Sequence, residues 1–71
     1  MTKKEMEFAV FCIEGIAEHL ECNGADVYEK IGKHGGVLDE YIIPNYGVLH
    51  SQGKEYIVED IVAIMQKEDL I

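Results

Sequence analysis

The chain has 71 residues, of which 48% are hydrophobic, and fourteen acidic residues against six lysines and no arginine give it a net charge of −8. This length allows one small domain, and the hydrophobic content excludes a chain that is disordered by composition. The charge argues against nucleic-acid binding, because displacing counterions from phosphates requires clustered Lys or Arg. An acidic surface favours a basic protein partner, or simply keeps the chain soluble.

The first predicted element is a long helix over residues 3–21. Thr2 and Glu5 have the spacing of a capping box, which marks a helix start. Apolar residues recur on one face and glutamates on the other, as in an amphipathic helix. The predicted inner face holds Met6, Ala9, Ile13, Ile16, Ala17 and Leu20, and the outer face holds Glu7, Glu14, Glu18 and Glu21.

The second predicted helix covers residues 24–33. Asn23 is a good N-cap, and the apolar positions Val27, Tyr28 and Ile31 are predicted to face inward. The pair of glycines at 35 and 36 predicts a left-handed C-cap that ends the helix.

Two further helices are predicted over residues 38–50, broken around Pro44, and over residues 53–67. Pro44 removes a backbone donor and clashes with the preceding turn, so it interrupts the helix. Ser51 is expected to cap the last helix, with Gly53 easing the corner. No useful length of sequence alternates with period two, so we predict an all-α fold, a small orthogonal bundle of four to five short helices forming a single helical domain over residues 1–71.

The residue types that carry chemistry do not form a recognisable motif. Cys12, Cys22, His19, His34 and His50 provide at best one pair, His19 and Cys22, and two ligands do not make a structural zinc site. His50 and Ser51 are adjacent on the chain, and adjacent side chains on a helix diverge. We therefore predict no catalytic residue, no metal, no cofactor and no small-molecule substrate.

Surplus apolar residues give the positive functional signal. Phe8, Val10 and Phe11 widen the apolar stripe of the first helix beyond what one small core easily absorbs, and Tyr56 falls on the polar side of the last helix. Exposed aromatic side chains are typical anchors of protein interfaces. These four residues are the candidate interface, in a homodimer or with a different protein. The alternative is that the N-terminal residues, or the chain end around Leu70 and Ile71, fold back and cover the Phe11 side.

Three stretches resemble a bacterial family called domain of unknown function 3791: "FAVFCIEGIAEHL", "GADVYEKI" and "YIIPNYGVLHSQGKEYIVEDI". The resemblance runs from Met6 to about Ile64. It carries no established activity and no catalytic residues. It implies small cytoplasmic proteins that are often encoded beside an ADP-ribosyltransferase-like family, domain of unknown function 3990, in a toxin–antitoxin or accessory-subunit relationship.

Two hypotheses follow for function. The first is a non-enzymatic, cytoplasmic protein-interaction module, for which the resemblance implies an antitoxin-like role beside such a neighbouring protein. The alternative is a small DNA-binding regulator with a helix-turn-helix-like arrangement, for which a basic patch near one helix N-terminus would be expected. The six lysines are instead scattered along the chain, and no apolar run is long enough to cross a membrane.

Overall fold

The computed structural model describes residues 2–71, so only Met1 of the predicted domain 1–71 lies outside the described residues. The chain forms a small all-helical bundle, as the sequence predicted, and residues 2–71 include no β-strand. In chain order the elements are α1 (Lys3–Leu20), α2 (Gly24–Tyr28), a first π-helical segment (Glu29–His34), a second π-helical segment (Leu38–Ile42), α3 (Tyr46–Leu49) and α4 (Lys54–Lys67).

The start of α1 is fixed by the predicted capping box. The Glu5 backbone N–H donates to Thr2 Oγ1 over 3.1 Å, and the Thr2 backbone N–H donates to Glu5 Oε1 over 2.8 Å. The helix ends at Glu21, which takes a left-handed conformation with φ of 56°. Its backbone N–H donates to carbonyls in the last turn of α1, which satisfies acceptors that a helix end leaves free.

The core is built by α1 and α4 together with one face of the segments between them. Its fully buried members of largest volume are Ile16, Ile31, Ile42, Ile57, Ile61, Met65, Val27 and Cys12. Ile16 from the predicted inner face of α1 and Ile57, Ile61 and Met65 from α4 therefore lie at the centre of the fold. The prediction was wrong for Met6 and Tyr28, which were expected to face inward and are exposed.

The region between α2 and α3 is helical, as predicted, with an unpredicted hydrogen-bond pattern. The Asn23 side chain caps α2 by accepting from the Asp26 N–H over 2.8 Å, and Gly36 has the left-handed φ of 68° expected of a C-cap. The two π segments use i to i+5 bonds, such as Gly35 N–H to Lys30 O over 3.0 Å and Ile43 N–H to Leu38 O over 3.0 Å.

The corner between the second π segment and α4 corrects one predicted cap. The helix is interrupted around Pro44 as predicted, and α3 is a single short turn. The Ser51 hydroxyl does not cap α4; it donates to the Val48 carbonyl over 2.7 Å and so closes α3. Gly53 is the N-cap of α4, in an extended conformation with no side-chain cap, and its carbonyl accepts from Ile57 N–H over 3.1 Å.

Close packing of α1 on α4 depends on Gly15. A Cβ atom at this position would lie 2.8 Å from Val58 Cγ2, closer than side chains normally approach. The edge of the same contact is closed by Lys54 Nζ, which lies 3.3 Å from Glu18 Oε2. The Val58 side chain of α4 therefore packs directly against the backbone of α1 at this point.

Candidate protein-interaction surface

The outer side of α1 keeps part of its apolar surface exposed. Phe11 is 41% exposed and Val10 is 47% exposed. Phe8 is the correction to the predicted interface, because it is 8% exposed and belongs to the core. The chain end does not provide the alternative cover for Phe11: Leu70 packs against Gly35 instead, and Ile71 is exposed.

Phe11 is the outer end of a row of rings. Its ring stacks on Phe8 with 6.1 Å between centroids, Phe8 meets the edge of Tyr46 at 5.3 Å, and Tyr46 stacks on His50 at 4.6 Å. We call Phe11, Phe8, Tyr46 and His50 the aromatic row. His50 Nδ1 lies 2.7 Å from the Tyr46 carbonyl, which orients the imidazole ring. The contact with Phe8 thus supports one side of the Phe11 ring, although 41% of the residue remains exposed.

Sequence reasoning missed the Tyr46–His50 end of this row. His50 was considered beside Ser51 and was not paired with Tyr46. The spacing of four residues was the available signal, because residues four apart on a helix are neighbours. The contact of Phe8 with Tyr46 joins α1 to α3 and had no local signal in the sequence.

An open groove of about 450 Å³ runs between α1 and α4 beyond Phe11. Gly15 and Val58 form its buried floor. Its rim carries three acids and two basic side chains: Glu18, Glu55, Glu59, Lys54 and His19. We call this feature the acidic groove.

Most carboxylates around these features have no ion-pair partner. Within residues 2–71 the ion pairs are Lys54 with Glu18 and His34 with Glu29. Glu55 and Glu59 are four residues apart on α4, so like charges face each other along that helix. The acidic groove accordingly carries two carboxylates, Glu55 and Glu59, that have no ion-pair partner within residues 2–71.

Tyr56, the fourth predicted interface residue, is 58% exposed on α4. It lies one turn from Asp60, whose carboxylate accepts a hydrogen bond from the Tyr41 hydroxyl. That hydrogen bond, with burial and the Asp60 charge, raises the pKa of Tyr41 to about 12. In the part of the chain that the structure describes, no ring contact joins Tyr56 to the aromatic row.

The groups considered for chemistry are divided among the core, the two open cavities and the aromatic row. Cys12 is buried in the core, and burial raises the pKa of its thiol to about 12, so it is held as a neutral thiol. Cys22 is exposed beside a second open cavity of about 410 Å³, which Asp26, Glu29, Lys30 and His34 also line. His50 lines neither this cavity nor the acidic groove. Residues 2–71 contain no group of three or more His, Cys, Asp or Glu arranged to hold a metal ion.

The family model described as "Protein of unknown function (DUF3791)" matches residues 7–68 of the chain. The chain belongs to this family. The match covers the outer side of α1, the aromatic row and the acidic groove, and it confirms the resemblance seen in the sequence. Comparison with curated proteins and with solved structures gave no significant match. No helix within residues 2–71 is long and apolar enough to cross a membrane.

Proposed function

We propose that this protein is a non-enzymatic interaction module that binds another protein chain through the outer side of α1. The observation that carries the proposal is Phe11, a large aromatic side chain that is 41% exposed while its ring stacks on the core residue Phe8. Exposing such a ring forgoes part of the roughly 1.5–3 kcal/mol that its full burial would contribute. For a domain of this size, that is a substantial share of the stability.

The arrangement of the ring supports an anchoring role. Interface hot spots are rich in aromatic residues held in well-packed surroundings. Because Phe8 already supports one side of the Phe11 ring, less side-chain entropy is lost on binding than for a ring without contacts. Val10 is exposed as well, but adjacent side chains on a helix diverge, so the proposal rests on Phe11.

The first partner to test comes from the family resemblance. It implies a neighbouring protein with an ADP-ribosyltransferase-like fold, for which this chain would serve as an antitoxin-like or accessory partner in the cytoplasm. The −8 charge and the absence of arginine favour a protein partner over DNA.

The experiment compares tagged wild type with Phe11→Glu, recovered from the native host and analysed by quantitative mass spectrometry. We expect at least one co-purifying protein to be lost with Phe11→Glu. The control, Ala63→Glu, adds the same charge at an exposed position of α4 and should retain that protein. Tyr56→Glu tests in parallel whether the second exposed aromatic residue takes part.

Thermal melting separates lost binding from lost folding. The melting temperature of Phe11→Glu should fall by less than about 4–8 °C, the shift that 1 kcal/mol causes in a domain of this size. Equal recovery of all partners by wild type and Phe11→Glu would refute the proposed surface. Specific retention of a DNA duplex by wild type would favour the regulator hypothesis instead.

A further inference from the structure

We infer that the segment covering Phe11 is a Lys- or Arg-rich amphipathic helix of a different protein, with an apolar side chain on Phe11 and a cationic side chain in the acidic groove. This inference rests on the proposed function, because it names the chemistry of the partner at the same surface. Helices that dock by an apolar face into a hydrophobic surface are a common mode of recognition.

The first step concerns what surrounds Phe11. On α1 its outward neighbours at spacings of three, four and seven residues are Glu14, Glu7 and Glu18. Glu7 and Glu14 have no ion-pair partner within residues 2–71. Any segment that covers the Phe11 ring therefore passes close to free carboxylates, and a basic segment would neutralise them.

The second step concerns the direction in which the surface continues. Phe11, Gly15 and Glu18 follow one line along α1, so the groove begins about 6–10 Å from the Phe11 position at 1.5 Å per residue. On a helix laid beside α1, the same separation corresponds to positions four to seven residues apart. An apolar residue and a Lys or Arg at that spacing would reach Phe11 and the groove together.

The third step concerns the charge of the groove itself. Glu55 and Glu59 repel each other across one turn of α4, and Lys54 is already engaged with Glu18. A cationic side chain between these carboxylates would relieve that repulsion. The groove floor at Gly15 and Val58 is apolar, which suits the methylene stem of a Lys or Arg side chain.

The same charges disfavour a second copy of this chain. Two copies carry twice −8, and a two-fold interface places the same patch against itself. Glu7, Glu14 and Glu18 of one copy would then lie near those of the other. Like charges brought together in this way oppose association.

The test uses a synthetic helical peptide of about 14 residues, with leucine at positions spaced three and four apart and lysine elsewhere. A matched peptide carries glutamate in place of lysine. Binding is measured by isothermal titration calorimetry, and backbone amide shifts in NMR spectra locate the contact. Sedimentation of the protein alone reports self-association.

Two variants and their controls define the surface. We expect Phe11→Ala to weaken binding of the basic peptide about tenfold. The pair Glu55→Gln with Glu59→Gln should weaken it about two- to fivefold. The control pair Asp39→Asn with Glu68→Gln changes the net charge equally at exposed positions outside the groove, and should change the affinity less than twofold, that is, by less than about 0.4 kcal/mol.

The outcomes separate this inference from the proposed function. The inference would be overturned if the groove pair and the control pair weakened binding equally while Phe11→Ala had no effect. Binding would then depend only on the net charge of the protein. A dimer of wild type that Phe11→Ala abolishes would overturn the basic partner but preserve the proposed surface. Preference for the glutamate peptide would also overturn the inference, whereas unchanged partner recovery by Phe11→Glu from the host would refute the proposed function itself.

Discussion

At the scale of single residues, Ile61 is the clearest test of the core. It is fully buried on the inner face of α4. Replacing Ile61 with Ala should lower the free energy of unfolding by about 2–5 kcal/mol, because it removes buried methyl groups and leaves a cavity. Urea denaturation checks this, with Gln66→Ala as an exposed control on the same helix. A loss below about 1 kcal/mol would mean that the core face has been misassigned.

Tyr41 predicts a pH dependence of stability. The hydrogen bond to Asp60, together with burial and the Asp60 charge, raises the pKa of this phenol from 10.0 to about 12. The folded state thus favours the neutral phenol, so its contribution is complete below pH 10 and is lost as pH rises towards 12. Tyr41→Phe should be less stable than wild type at pH 7, and the difference should shrink between pH 10 and 12.

Denaturant unfolding of both proteins at a series of pH values provides the measurement for Tyr41. Tyr28→Phe serves as the control, since Tyr28 is an exposed phenol that does not contribute to the raised pKa of Tyr41. A stability difference between wild type and Tyr41→Phe that stays constant up to pH 12 would contradict the assigned hydrogen bond.

Local chemistry explains which residues could be predicted from the sequence. Thr2, Glu5 and Asn23 cap helices through partners three residues away, so the signal lies within one short stretch. Phe8 was assigned to the surface because periodicity places it at the edge of the apolar stripe. Its burial depends on Tyr46, which is distant in the chain, and periodicity carries no information about such a contact.

At the scale of elements, Gly15 controls how closely α1 and α4 approach. In Gly15→Ala, overpacking against Val58 should lower the free energy of unfolding by about 1–3 kcal/mol. The higher helix propensity of alanine should offset about 1 kcal/mol of this loss, so we expect a net destabilisation. Gly47→Ala is the matched control, because it lies in α3 with no atom within 4 Å of the added Cβ. It should be neutral or stabilising by up to about 1 kcal/mol. Chemical denaturation of both variants checks the pair, and a more stable Gly15→Ala would contradict the described packing.

The π segments and the α4 cap show where prediction at the element scale stops. A pattern of apolar residues predicts helix over residues 24–33 and 38–50 without distinguishing i to i+4 from i to i+5 bonding. Ser51 and Gly53 were both plausible corner residues. The geometry of α3 decides between them, because the Ser51 hydroxyl finds a carbonyl in that turn before it reaches α4.

At the scale of the whole molecule, the candidate surface combines features of different predictability. The exposure of Val10 and Phe11 was expected from the wide apolar stripe of α1, and that of Tyr56 from its position on the polar side of α4. The acidic groove was not, because its acids come from two helices that are separated in sequence. The groove forms only when α1 packs on α4. Composition therefore predicts that the surface is acidic, whereas the position of the groove follows only from the fold.

Net charge gives the last prediction. With a charge of −8 and two ion pairs within residues 2–71, repulsion between carboxylates should oppose folding. Raising NaCl from about 0.01 M to about 1 M shortens the Debye length from about 30 Å to about 3 Å, so the melting temperature should rise. Glu59→Gln removes one repulsion with Glu55 and should raise the melting temperature at low salt by about 1–4 °C. The gain from salt should also be smaller in this variant than in wild type.

A melting temperature that falls with added salt would show that favourable charge pairs dominate, contrary to this account. Glu68→Gln, which lies just beyond α4 and outside the groove, is the control for loss of one charge. If Glu59→Gln is more stable than wild type and also binds the basic peptide more weakly, the same carboxylates oppose folding and favour binding. Residues that lower stability while they favour binding are typical of functional surfaces.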